Sequence, residues 1–316
     1  MSSLRLVVSP HPHLHSGHTL PGIMQQVMIA LIPAVIFGVY LFGFDALRVI
    51  LLSMGSAVGW EYLIRRISKR PSQLHDLTAL SSGLILAMLL PATLPWWIIL
   101  VGTLIMIGLG KEVFGGFGTN PFNGVLIAWL VLKMSYPDFM LDWPLLAMSP
   151  EAAATPMEIF KLQGPSFVQH SFSLGDLFFG LTPGPIGQGS AFCLLLGGAW
   201  LLYKRVVNWR IPLCYLAGLV IFSGMFWALQ IGSGNADPLF HLFAGATMLA
   251  AFFLATDPPS TPTTPDGMML FGLLAGALTA IIRMWGVWPF GALYAVLIMS
   301  MFTPFLDKIA PEVYGR

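Results

Sequence analysis

The chain has 316 residues, of which 56% are hydrophobic and only 9% charged, with a mean hydropathy of +0.79; soluble domains carry about 25% charged residues. This composition excludes a soluble enzyme, and a net charge of +1 offers no basis for binding nucleic acid. A hydrocarbon core about 30 Å thick takes roughly 20 apolar residues per helix, so the length accommodates about ten membrane spans.

The N-terminal stretch 1–23 reads as a cytoplasmic tail. His11, His13, His15 and His18 stand in it at alternating spacing that could put imidazoles on one face of an extended segment. No cysteine or carboxylate stands nearby, so a solvated tail is expected and no metal site. The stretch lacks the basic-then-apolar order of a cleavable signal peptide, so the first span is expected to insert uncleaved. Apolar runs then follow at 24–43, 46–64, 78–95, 96–110, 121–136, 189–203, 211–230, 238–256, 268–285 and 289–306. Cys193 and Cys214 both fall inside such runs and read as packing residues, with neither disulfide nor metal-cluster spacing.

Between the fifth and sixth runs lies a polar, proline-punctuated stretch containing Pro144, Pro150, Pro156, Pro165, Pro183 and Pro185. It has no run long enough to span and must sit in water. Arg65, Arg66, Lys69 and Arg70 follow the second run, and Lys204, Arg205 and Arg210 follow the sixth. The positive-inside rule places both clusters in the cytoplasm. Alternation along the chain then puts Arg5, Lys111, Lys308 and Arg316 on that side, and Arg48, Lys133, Lys161 and Arg283 on or towards the other. Both termini are predicted cytoplasmic and the polar stretch extracytoplasmic.

The two halves echo one another. Asn120-Pro121-Phe122-Asn123-Gly124 resembles Trp288-Pro289-Phe290-Gly291-Ala292, each opening the last run of its half. Ser82-Gly83 through Pro91-Ala92-Thr93 resembles Ala244-Gly245 through Ala255-Thr256-Asp257-Pro258. Five is an odd number of spans, so the second unit would run upside down relative to the first, as in many transporters. The expected fold is therefore all-α integral membrane, about ten transmembrane helices as two inverted five-helix repeats. The divisions are 1–23 tail, 24–136 first repeat, 137–188 extracytoplasmic loop, 189–306 second repeat and 307–316 cytoplasmic C-terminus.

Within such folds, broken helices offer backbone ends to polar ligands near the midplane. Gly115, Gly116, Asn120 and Asn123 lie in a glycine-rich stretch before a short run, where free N–H groups could meet an anion or a flavin. A tight surface loop is the alternative there. Ionisable residues in or beside apolar runs are Asp45, Glu61, His75, Asp76, Glu112, His241, Asp257 and Arg283; such groups are costly in a bilayer and so point to function. Most stand near run ends, where snorkelling would suffice. Asp76 and Asp257 are the candidates for an ion path, with His241 marking the region equivalent to Asp76. Helix capping is the competing account of Asp76. There is no complete Walker motif, dinucleotide fingerprint or elbow serine, so no catalytic residue is expected.

Ser9-Pro10-His11 before the first run, the Phe114-to-Asn123 loop and the Ala255-Thr256-Asp257-Pro258 loop together resemble the D-subunit family of bacterial Rnf electron-transport complexes. More distantly they resemble the B-subunit family of the sodium-pumping NADH:quinone reductase. The resemblance runs over nearly the whole chain. It implies an FMN joined by a phosphodiester to a threonine, and the stretch Glu151-Ala152-Ala153-Ala154-Thr155-Pro156-Met157-Glu158-Ile159-Phe160-Lys161 is similar to the attachment motif, with Thr155 as the acceptor. Ala152 stands where the family has a hydroxyl residue. Gly245-Ala246-Thr247 matches the motif's last letters more literally, but Thr247 lies mid-run, where a phosphate would be buried in hydrocarbon at a cost of many kcal/mol. Thr155 lies in the loop that charge alone assigns to the outside, where the family's flavin transferase acts.

The resemblance further implies electron relay between reduced ferredoxin and NAD, coupled to sodium or proton translocation, in a complex of the bacterial inner membrane. It implies other Rnf subunits, the transferase and the lipid bilayer as partners, and allows a non-covalent riboflavin beside the covalent FMN, with Gly115 to Asn123 as a contact. The residues suit either coupling ion and either direction of electron flow. The rival from another class is a cofactor-free channel or secondary transporter, which an inverted repeat alone would fit equally; a purely structural membrane anchor for redox partners is a third.

Overall fold

The computed structural model describes residues 19–71, 73–144, 154–230 and 236–309. The four N-terminal histidines and Glu151 to Ala153 of the loop motif lie outside the described residues. Every regular element among the described residues is helical.

Helix α1 runs Leu20–Ile67, its first turn started by the Thr19 hydroxyl accepting from the Gly22 amide at 3.3 Å and by a proline in the first turn. Gly43, at φ 66° and ψ −144°, breaks it where the first two apolar runs meet. A 3-10 turn, Leu74–Asp76, leads into α2, Thr78–Leu89. Then come α3, Trp96–Ile107, extended by a π turn Gly108–Glu112, and α4, Gly124–Ser135. The polar stretch folds into short helices: α5, Pro137–Met140; α6, Pro156–Gln163; α7, Pro165–Ser171; and α8, Leu174–Phe179. The second half holds α9, Ala191–Tyr203, and α10, Arg210–Ala228. Its eighth run is split into α11, Pro238–Phe243, and α12, Thr247–Leu249, the latter continuing as a π turn Ala250–Leu254. Helices α13, Pro265–Trp285, and α14, Gly291–Leu306, complete the chain.

Among the described residues, three helices, α1, α10 and α13, are long and apolar enough to cross a membrane. Ile36, Tyr40, Phe44 and Leu51 of α1 are exposed, as expected of a helix whose outer face meets lipid rather than water. The most extensive helix pair is α10 on α13. Small residues make that approach possible: a Cβ on Gly276 would strike the Tyr215 carbonyl oxygen and the Leu219 amide of α10. Helix α1 packs against α2, α3 and α9. The loop is docked rather than free, because Met157, Ile159 and Phe160 of α6 share an apolar cluster with Leu219, Phe226, Phe240 and Met284 of the second half.

Several ionisable groups depart from the expectation of snorkelling. Glu61, Arg65, Lys111, Glu112 and Arg283 are all buried, with partners brought to them by packing; His241 is buried too, with neither ring nitrogen partnered among the described residues. Asp45, by contrast, is exposed and pairs with Arg48 at 3.8 Å. Asp76 caps nothing: the residue before α2 is Leu77, in the left-handed region at φ 56°, and no side chain caps the helix.

Candidate functional site

Two polar places lie towards opposite ends of α2. Ser81 and Ser82, near its start, line a cleft. Met88, about 10 Å further along the helix, accepts at its carbonyl from the Gly187 amide at 2.9 Å, while Leu90 accepts from Ile186 at 3.2 Å. Carbonyls left free at the end of α2 thus hold the 182–189 segment in place, and that segment walls a narrow pocket at Thr155.

Thr155 is the residue before α6. Its hydroxyl accepts from the Glu158 amide at 3.2 Å, and Oε2 of Glu158 accepts from the Thr155 amide at 2.9 Å. This reciprocal capping follows directly from Thr-Pro-Met-Glu. The Trp143 indole donates to the same oxygen of Glu158, at 2.8 Å. Thr155 is 4% exposed and faces a pocket shared with Thr182, Gly184, Gln188, Gly189, Ala244 and Gly245. The amide nitrogen of Gln188 is buried there without a partner among the described residues. Lys161, two turns along α6, donates to the carbonyls of Gly286 at 2.5 Å and Ile282 at 3.5 Å at the end of α13, a favourable place for a cation. Burial and the Arg283 charge hold its ammonium below the ordinary 10.5.

Thr247 is fully buried, and its hydroxyl donates to the carbonyls of His241 and Ala244 at 3.1 and 2.9 Å while accepting from Nη2 of Arg283 at 2.7 Å. Arg283 also donates to the carbonyls of His241 and Ala244. The two side chains thereby satisfy the carbonyls freed where α11 stops.

The cleft at the other end gathers Ser81, Ser82, Lys111, Asn120, Asn123 and Asp257. Asn123 caps α4, accepting from the amides of Val125 and Leu126, and its Nδ2 donates to the Leu254 carbonyl at 3.4 Å, so one side chain joins the two halves. Asn120 is tied within its own turn, to Gly118 and Phe122. Gly115 and Gly116 have positive φ and shape that turn without lining the cleft; Asp76 does not line it either. Beside the cleft, Lys111 donates to Glu61 at 2.5 Å and to the Thr78 hydroxyl at 2.7 Å. Arg65 bridges to Glu112 at 2.9 Å and to Gln73 at 2.6 Å.

Reading the sequence missed Gln188 altogether and gave Lys111 no partner. Of the basic residues paired with Thr78 and Thr247, Lys111 was visible only as a cytoplasmic charge and Arg283 only as an ionisable group in an apolar run. Among the described residues no group of histidine, cysteine or acidic side chains could hold a metal ion.

The sequence model of the NQR2, RnfD, RnfE family matches residues 7–315. The D subunit of the Na+-translocating ferredoxin:NAD+ oxidoreductase complex of Acetobacterium woodii is 37% identical, over 100% of this chain and 97% of its own length. The D subunit of the proton-translocating ferredoxin:NAD+ oxidoreductase complex of Clostridium ljungdahlii is also 37% identical, over 97% and 95%. The D subunit of the ion-translocating oxidoreductase complex of Halorhodospira halophila is 36% identical, over 96% and 94%.

Proposed function

This chain belongs to the NQR2, RnfD, RnfE family, and on that premise we propose that it is a membrane subunit of an ion-translocating ferredoxin:NAD+ oxidoreductase. It is not catalytic alone; it relays electrons through an FMN esterified by its phosphate to the Thr155 hydroxyl. The observation carrying this reading is that Thr155 stands at the start of a docked loop helix, outside the long apolar helices, facing a pocket partly walled by glycines. A Cβ on Gly184 would lie 3.7 Å from the Thr155 methyl, so this glycine lies directly against the threonine. The positive end of α6 favours a phosphate at that oxygen. Bound there, the isoalloxazine supplies one- and two-electron chemistry, while the chain fixes its place and surroundings.

The wider reading is a chain of about ten spans, as two inverted five-helix repeats, in the bacterial inner membrane with both termini cytoplasmic and the 137–188 loop outside, where a flavin transferase reaches Thr155. The cleft holding Asn120 and Asn123 suits a second, non-covalent flavin such as riboflavin, with Gly115 and Gly116 shaping the turn behind it. Asp257 in that cleft and Asp76 at the approach to α2 are proposed for the ion path. Coupling to sodium and to protons stand level, since relatives named for each ion are equally identical to this chain.

The test is covalent flavin on the denatured chain. Full-length protein from cells expressing a flavin transferase should give a band fluorescent under ultraviolet light, lost in Thr155→Ala and kept in Thr247→Val. A dark wild-type band would remove the electron-carrier reading and leave a cofactor-free channel or secondary transporter.

A further inference from the structure

Lys111 and Arg283, two buried basic residues, are handled differently. Lys111 has both a threonine hydroxyl and the Glu61 carboxylate, at 2.7 and 2.5 Å. Arg283 is 1% exposed, and its acceptors among the described residues are two backbone carbonyls and the Thr247 hydroxyl, all neutral. Its Nε has no partner, and among the described residues it forms no ion pair. A buried cation without an anion is strongly disfavoured, and hydrogen bonds to neutral oxygens offset only part of that cost.

The position of this charge indicates what would balance it. The Ala244 carbonyl lies on Nη2 of Arg283 at 3.1 Å, and a Cβ on Gly245 would come within 3.3 Å of the same nitrogen. Gly245, with φ 66°, has the backbone shape that glycine tolerates best. Ala244 and Gly245 are also a wall of the Thr155 pocket. The guanidinium therefore sits one backbone layer behind that pocket. Gln188 lines the same pocket with a buried, unpartnered amide nitrogen, a donor lacking an acceptor. The start of α6 points its positive end at the same place, where the Glu158 carboxylate already accepts from the Thr155 amide. Lys161, from α6 itself, adds a second cation close enough to Arg283 to feel its charge.

We propose that Gln188 and Arg283 form an anion-accepting lining that positions the phosphodiester at Thr155, with Gln188 donating to a phosphate oxygen and Arg283 supplying the counter-charge from behind Gly245. The inference rests on the Thr155 reading. It assigns the loop, through Gln188, and the second helical half, through Arg283, a joint role in holding the phosphate. In this arrangement the phosphate does for Arg283 what Glu61 does for Lys111.

The test compares the thermal unfolding temperature of full-length detergent-purified chain with and without covalent flavin, obtained from cells with and without the transferase. Loading should raise the Tm of the wild type. The rise should disappear in Arg283→Met, return in Arg283→Lys and be roughly halved in Gln188→Leu, which removes one hydrogen bond to a charged group. Fluorescence per mole of chain is read in parallel to establish loading. Should Arg283→Met fail to fold, Gln188→Leu decides by itself. Loaded wild type and loaded Gln188→Leu rising equally would overturn the lining while leaving Thr155 as the attachment site. Absence of fluorescence in the wild type would remove both.

Discussion

Arg283 and Thr247 meet at 2.7 Å in the gap between α11 and α12, as Lys111 and Thr78 meet at 2.7 Å where α2 begins. In each half a buried basic residue near the end of one helix meets a threonine at the start of another. The two pairs differ in what faces the charge among the described residues: a carboxylate on Lys111, only neutral oxygens on Arg283. This difference separates the structural pair near the cleft from the pair beside Thr155.

The Glu61–Lys111 pair is expected to behave as a buried ion pair. Lys111→Met leaves Glu61, 1% exposed, without its closest cation and should cost about 3–5 kcal/mol. Glu61→Gln/Lys111→Met together should recover much of that loss. Thermal unfolding of the purified chain checks both; equal losses in the single and double variants would rule out the pairing.

Helix packing of α10 on α13 depends on Gly276. Gly276→Val drives a side chain into the Tyr215 carbonyl and the Leu219 amide, which should cost at least 1–3 kcal/mol, about the range for overpacking. Gly59→Ala in α1, where a Cβ meets nothing within 4 Å, should leave the unfolding temperature unchanged or slightly raised. The contrast is read from Tm and the yield of monodisperse protein.

Glu158 holds the start of α6 from two sides. Glu158→Ala removes the acceptor for the Thr155 amide and for the Trp143 indole. The capping loss is about 1 kcal/mol, and limited proteolysis should cut the loop faster. Glu158→Gln keeps an acceptor oxygen and should stay close to wild type in the same assay.

Lys161 gives a pH signature of known sign. Its ammonium is held below 10.5 by burial and by Arg283, so between its folded and unfolded values the unfolded chain binds more protons. Stability contributed by this group therefore rises as pH climbs through that window. Lys161→Gln should flatten the rise in Tm on the alkaline side. An identical pH profile in the variant would show that Lys161 titrates as in water.

Much of the architecture is written locally. Apolar runs separated by prolines and glycines mark the helical segments, and Thr-Pro-Met-Glu at 155–158 starts α6 by capping chemistry that needs only four residues. The paucity of charge points to a bilayer, and the proline-rich stretch is expected in water. These features depend on composition and short-range spacing, which a sequence displays directly. Pairing across the fold does not. Glu61 and Lys111, Asn123 and the Leu254 carbonyl, Arg283 and Thr247 come together only when helices pack. The break of the eighth run at 244–246 follows the same logic, since a split helix is tolerated in an apolar interior only if another segment satisfies its freed carbonyls. The sequence by itself determined that this is a helical membrane protein with a polar loop bearing Thr155. Packing docks the loop on the second half facing Gln188, with an Arg283 just behind that has no carboxylate partner among the described residues, because burial turns an unpaired charge from a solvated surface feature into one that needs a partner.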